Sequence, residues 1–376
     1  MKSGSFTIIM VALAVVCVAA WQWATVTANY DGNWTALYCT GADMPHPDLV
    51  ASEHIFVFPN STGYDGQMYH YMAHDPLMRS DLKAYVDDTR LRYHRILVPG
   101  LAYVLALGHF HWIDPAYEIV FLLTIGLGVY WSCRVTQSAW GLAFLLIPAI
   151  PISIDRLVVD GALATLTVGF VYYRHGPTWK LFLVLMCAAL TRDTGFLLIA
   201  AACLAHLLQR RYRLTAILAA SAAPAAAWYA YVQTQTPKSN YVFSLIPFAN
   251  VVQALANPWR YPAGTSFPGA IVAADYLAQA GVLIALGMAV YLIVRKPTGQ
   301  LQIASVLFAA FAAVLLRYDQ WQIIYDLVRL VSPLLVCLAA VASIERKPWL
   351  LAPVAMILPR IAMQFAPQVL GMIKSW

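Results

Sequence analysis

The sequence predicts an all-α polytopic membrane protein of a single domain, residues 1–376, with about ten to twelve transmembrane or half-membrane helices and a large first outer loop. Three observations predict it. Hydrophobic residues make up 61% of the chain and charged residues only 11%, whereas soluble domains carry about 25% charged residues. Apolar runs recur along the whole length and leave no separate soluble module. Short basic clusters lie between those runs, where orientation signals belong, so the net charge of +6 reads as membrane topology and not as nucleic-acid binding.

The first run follows Lys2 and has the look of a signal peptide. It is read instead as a retained helix, Phe6 to Ala28. The polar loop 29–95 comes next. Apolar stretches then cover 96–111, 116–133, 139–153, 157–173, 179–191, 195–208, 213–233, 269–294, 301–316, 322–343 and 349–365. A span needs about 20 apolar residues, so the shorter stretches read as half-spans or broken helices, which are tolerated where they line a cavity or are buried in protein. No internal repeat stands out, which weighs against a transporter built from duplicated halves. Six cysteines are present without a CxxC pair, and no disulfide framework is expected.

The basic loops at Arg174-His175, Arg210-Arg211, Arg295-Lys296 and Arg346-Lys347 are expected to face the cytoplasm. That assignment puts residues 191–195, 317–322 and a second loop, 234–268, on the outer side. With Lys2 inside, the 29–95 loop is outside as well. Four apolar stretches lie between Arg95 and Arg174, where the charges require an odd number of crossings. The 96–111 stretch, interrupted by Pro99-Gly100, is the one expected not to cross.

Ionisable residues in apolar segments cost a few kcal/mol each and are functional candidates by default. They gather on the expected outer side: Asp65 in "YDGQMYHYMAHDP" (64–76), Asp155-Arg156, Asp160, Arg192-Asp193, Arg317, Asp319, Asp326 and Arg329. Asp326 and Arg329 are three apart and share a helix face. The bland alternatives are ion pairs that tie helices together and, for Asp65, the N-cap of a helix starting at Gln67. Tyr64, Tyr69 and Tyr71 are expected to anchor that helix in the membrane interface. His70 and His74 are four apart, a spacing suited to a metal, but two histidines do not make a site and no metal is assigned to them.

The order of motifs carries a resemblance. A first span precedes a large loop with "YDGQ". Then come "RLRYHRILVPGLAYVLALG" (90–108), "VDGALATL" (159–166), "TRDTG" (191–195) and a late helix with Arg329. This order, densest over residues 1–200, resembles the GT-C superfamily of polytopic glycosyltransferases, especially its small bacterial members. The resemblance implies sugar transfer from a polyprenyl-phosphate donor to a glycan, lipid or protein acceptor. The active site would face the periplasm from a bacterial inner membrane. It implies Asp65 as the catalytic acid, acting as general base, with arginines holding the lipid phosphate. The substrate-binding set is then Gln67, Tyr69, His70, His74, Arg92, Arg95, Asp160, Arg192, Asp193 and Arg329. No cofactor is required, and a divalent ion, Mg²⁺ or Mn²⁺, is left open.

The loop carries one clear acid where many members have a pair, and the extra C-terminal domain of several families is missing. Two alternatives therefore stand beside the enzyme: an inactive GT-C-like scaffold in a larger membrane protein complex, and a lipid-linked sugar transporter or flippase. As an enzyme, the chain is expected to place Asp65 on its largest outer-facing cavity.

Overall fold

The computed structural model describes residues 4–238, 246–262 and 264–375. Lys2 and, within the expected second outer loop, residues 239–245 and 263 lie outside the described residues. The chain is almost wholly helical, as its apolar runs require, because helices satisfy every backbone group within their own segment. Helix α1 is Gly4–Asn29. Ile8, Ile9 and Val16 on its surface are exposed, as suits a helix that meets lipid.

The first loop is folded and packed. It opens with a 3₁₀ turn, Trp34–Tyr38, whose N-cap Asn33 accepts from the Thr35 N–H at 3.1 Å. Strand β1 (Thr40–Gly41), helix α2 (Leu49–Ser52) and strand β2 (Val57–Phe58) follow, with β1 and β2 pairing in parallel. Helix α3 (Asp65–His74), α4 (Thr89–Tyr93) and α5 (Leu97–Leu105) complete it. In α3 every residue from Gly66 to Ala73 is buried. The interfacial anchoring expected of Tyr69 and Tyr71 is thus corrected: both rings are interior, held by tertiary packing rather than by a membrane surface.

Helix α6 is Ile113–Thr136. The 3₁₀ segment Ala139–Leu146 and α7 (Ala149–Arg156) form a pair bent by 64°. Then come α8 (Asp160–Tyr173), α9 (Thr178–Thr191), α10 (Phe196–Leu208), α11 (Tyr212–Ala219), α12 (Ala223–Gln235) and α13 (Ala249–Ala256). The remainder is α14 (Pro268–Arg295), α15 (Gln300–Leu315), α16 (Tyr318–Gln322), α17 (Ile324–Glu345) and α18 (Ala352–Ser375). Among the described residues, 6 helical stretches are long and apolar enough to cross a membrane, or 7 with the bent pair taken as one span. Thr178–Thr191, Asp193–Leu208 and Gln300–Leu315 are shorter apolar helices.

Two helices form the centre. Residues Asp160 to Val171 of α8 are all buried, and α17 is buried over most of its length. A helix apolar on every side belongs in such a core.

Helix α5 has 9 residues, about 14 Å of length, against a hydrocarbon core of about 30 Å. It does not cross. Helix α6 starts beside the first loop, where Tyr38 Oη donates to Asp114 Oδ1 at 3.1 Å. Its other end, at Thr136, shares a cavity with Arg346. The bent pair returns, because Arg156 at the end of α7 reaches Cys39 Sγ. Helix α8 then runs back towards Arg174. At that far end Arg174, Arg211 and Lys296 line one cavity of about 420 Å³, so three of the basic loops do gather on one side.

Candidate functional site

At the opposite end the expected charged residues meet. Helix α3 begins at Asp65, with Tyr64 in the extended N-cap position. Asp65 therefore does not cap a helix starting at Gln67, and its carboxylate turns to arginines instead. Arg329 Nη1 donates to Asp65 Oδ2 at 2.6 Å and Arg92 Nη1 stands 2.7 Å from the same oxygen. The side chain of Asp65 is only 13% exposed. Burial alone would raise its pKa, but Arg329 and Arg92 outweigh burial and hold the carboxyl well below the usual carboxylate range.

Gly66 makes this placement feasible. A Cβ there would lie 2.2 Å from Arg156 O and 2.7 Å from Tyr38 O. The first turn of α3 presses on main chain that cannot move aside, so the glycine of "YDGQ" is a requirement for close approach.

Arg329 is the hub. Its Nη1 also reaches Asp160 Oδ2 at 3.3 Å, and its Nη2 donates to Asp326 Oδ1 at 2.8 Å. Its guanidinium lies 4.8 Å from the Tyr64 ring centroid, and Tyr64 Oη donates to Asp326 at 2.8 Å. Arg192 pairs with Asp160 at the start of α8. Arg92 is held in a fork by Asp87 at 2.7 and 2.9 Å. Arg95 donates to Tyr69 Oη at 2.9 Å and has Asp193 Oδ2 at 3.6 Å. His94 Nδ1 is 3.1 Å from Asp193 Oδ1 and stacks on Tyr229 at 3.7 Å. The Nε–H groups of Arg95 and Arg329 are buried without an acceptor among the described residues.

With the Arg92 guanidinium 5.9 Å from the Tyr69 ring centroid, the fold joins Asp65, Tyr69, Arg92, Arg95, Asp160, Arg192, Asp193 and Arg329 into one linked set. It separates the other three predicted residues from them. Gln67 Oε1 accepts from the Gly41 N–H at 3.2 Å, and its Nε2 donates to Thr62 O at 2.9 Å. Both ends of that amide tie down the loop. His70 and His74 lie about 140° and 180° round α3 from Asp65, at about 100° per residue, and face Glu53 and Asp114. Burial, opposed by His70, pushes the Glu53 carboxyl up to about 7. Burial, reinforced by His70, pushes His74 down to about 3. Sequence reasoning missed Glu53, Asp87 and Asp114 as partners. Asp87 opens the run of neighbouring acids and basics "DDTRLR" (87–92), and that local signal points to the Arg92 fork.

Asp65 lines none of the three prominent cavities, so its expected place on the largest outer-facing one is not among them. Of three prominent cavities, the first, about 600 Å³, is an apolar recess between α6, α8, α17 and α18. The second is the basic one above, and the third is formed by the Arg210–Arg213 turn. The arginines fill the space beside Asp65. The same fact bears on Mg²⁺ or Mn²⁺. Asp65 Oδ2 already faces two guanidiniums, and Asp160 is shared by two more arginine contacts. A hard divalent cation needs several oxygen ligands without adjacent positive charge, so this set does not fit one.

No family model, curated protein or solved structure matches the chain.

Proposed function

We propose that this chain is a glycosyltransferase of GT-C type. It would transfer a sugar from a polyprenyl-phosphate donor to an acceptor hydroxyl on the outer side of a bacterial inner membrane. The observation that carries this reading is the single carboxylate oxygen of Asp65 shared by Arg92 and Arg329. A phosphate and a carboxylate are alternative occupants of such a pair of guanidiniums. Helices α8 and α17 fix the other ends of the network, so the arginines need little reorganisation to receive the donor.

The chemistry follows from that competition. Asp65 is fully ionised when the donor is absent, but its ion pairs make it a weak base. When the donor phosphate takes up Arg92 and Arg329, Asp65 loses counter-charge and its affinity for a proton rises. It then accepts the proton of the acceptor hydroxyl as the acceptor oxygen bonds to the sugar C1. The C1–O bond to phosphate breaks, and polyprenyl phosphate leaves with its charge held by the arginines. The base is thereby activated only when donor is bound. The Nε–H groups of Arg95 and Arg329, which make no hydrogen bond among the described residues, offer further donors to the phosphate.

The closed ion-pair network also suits the inactive scaffold, in which the same charges only tie helices together. Donor binding separates the two. The enzyme binds polyprenyl-phosphate sugar and loses affinity in Arg329→Gln, whereas the scaffold binds none. The decisive assay offers a panel of polyprenyl-phosphate sugars and candidate acceptors to the purified protein, with Asp65→Asn as control. Transfer that is absent across the panel, together with absent donor binding, sinks the proposal.

A further inference from the structure

We infer that Glu53, His70, His74 and Asp114 form a binding site for one transition-metal ion of the zinc class, on the face of α3 turned away from Asp65. This site is independent of the proposed transfer reaction.

One donor atom from each residue converges on a common point. His70 Nε2 and His74 Nε2 are 3.3 Å apart. Glu53 Oε2 lies 3.6 Å from the first and 3.5 Å from the second. Asp114 Oδ1 lies 2.7 Å from His70 Nε2, and all four atoms fall within 4.8 Å of one another. Zinc bonds to nitrogen and carboxylate oxygen are about 2.0–2.2 Å long. A tetrahedron of that size has edges of roughly 3.3–3.6 Å, which three of these four distances match. The shorter one is a hydrogen bond that the ion would replace.

The set is hard to account for without a cation. Both imidazoles are interior, with side-chain exposures of 0% and 2%, and Glu53 is 10% exposed. Two ring nitrogens face each other, and only one of them can donate. Among the described residues, no hydrogen bond reaches the buried Glu53 Oε2. Burying a carboxylate without a partner is costly. Two neutral imidazoles and two carboxylates would balance a divalent charge. Mixed imidazole and carboxylate donors select a zinc-like ion over Mg²⁺ or Ca²⁺.

Support comes from behind the ligands. The Tyr38 ring stacks on His70 at 4.0 Å while its Oη donates to Asp114 Oδ1. One side chain thus orients two ligands, as supporting groups of metal sites do. Phe110 meets the His74 ring at 4.8 Å. Among the described residues the Nδ1 atoms of both histidines are buried without an acceptor, and stacking on Tyr38 orients the His70 ring. An ion here would clamp the Glu53 segment and the start of α6 to the back of α3, fixing the helix that carries Asp65.

The test uses the full chain in detergent, stripped with a chelator and titrated with Zn²⁺ or Co²⁺ alone. The expected result is one equivalent bound, with the visible spectrum of four-coordinate Co²⁺. His74→Ala and Glu53→Gln should each weaken binding by more than the roughly 10–100-fold that loss of a supporting group costs. Tyr38→Phe should weaken it about 10-fold. Asp65→Asn should keep full stoichiometry, so this result stands or falls apart from the transfer assay. An octahedral Co²⁺ spectrum, no stoichiometric binding by the native chain, or unchanged affinity in a folded His70→Ala/His74→Ala variant would overturn the assignment. Should the variants not fold, the native spectrum and stoichiometry decide alone.

Discussion

Arg329 Nη1 meets Asp65 Oδ2 at 2.6 Å, joining the core helix α17 to the first residue of α3. The pair links residues 264 positions apart in the chain and is nearly closed to solvent, with exposures of 6% and 13%. Its two members should fail differently. Asp65→Asn keeps shape and cannot take a proton, so kcat should fall by roughly 10²–10⁴-fold, while donor affinity is kept or raised because the competing carboxylate charge is gone. Arg329→Gln should weaken donor binding and slow transfer together. Equal loss of donor binding in both, with normal residual turnover, would make Asp65 a binding residue only.

The acidic limbs of the two rate profiles should separate. Asp65 is held below the usual carboxylate range in the free protein, so kcat/KM should fall only below about pH 4. In the donor complex its arginines are shared with phosphate and its pKa is higher. Protonation then blocks the base at higher pH, and kcat should fall first as pH decreases. Coincident limbs, or a kcat limb at the lower pH, would count against donor-triggered activation.

Stability follows the same sign. A depressed folded-state pKa gives Asp65 a contribution that is present above about pH 4, the unfolded value. It is lost as pH falls further, through the folded value. Wild type should therefore lose more thermal stability than Asp65→Asn between pH 4 and lower pH, measured by melting in detergent. Asp160, only 1% exposed and shared by Arg192 and Arg329, is more consequential. Asp160→Asn should destabilise by about 3–5 kcal/mol.

Gly66→Ala tests the close approach of α3 without touching a charge. The added Cβ would sit 2.2 Å from Arg156 O, and neither backbone can yield cheaply. The expected cost is about 1–3 kcal/mol, with loss of transfer because Asp65 moves with the helix. Wild-type melting and activity in this variant would show that the contact relaxes freely.

Sidedness is testable by labelling. On the proposed orientation, Cys placed at exposed Gln209 should resist a membrane-impermeant thiol reagent in intact cells, and Cys at exposed Asp81 should react. The reverse pattern would move the site to the cytoplasmic face.

Much of this was legible in the sequence for one physical reason. A charge in an apolar segment is costly, so Asp160, Arg192 and Arg329 announce themselves, and apolar run lengths locate most of the long helices within a few residues, though α18 runs ten residues past the expected end at 365. The interior position of Tyr69 and Tyr71 was not legible. A tyrosine at a membrane boundary and one beneath a folded loop have the same local sequence. Glu53 and Asp114 were equally hidden, because only the tertiary fold brings them to His70 and His74. The role of Gly66 depends on the carbonyls of Tyr38 and Arg156, contributed by other segments.

The most direct test of the central claim is binding of a polyprenyl-phosphate sugar to the purified protein, measured alongside transfer, in wild type, Asp65→Asn and Arg329→Gln. The account predicts donor-dependent transfer by wild type, donor binding without transfer by Asp65→Asn, and loss of both in Arg329→Gln. Full transfer activity in Asp65→Asn, or no donor binding by wild type, would contradict it.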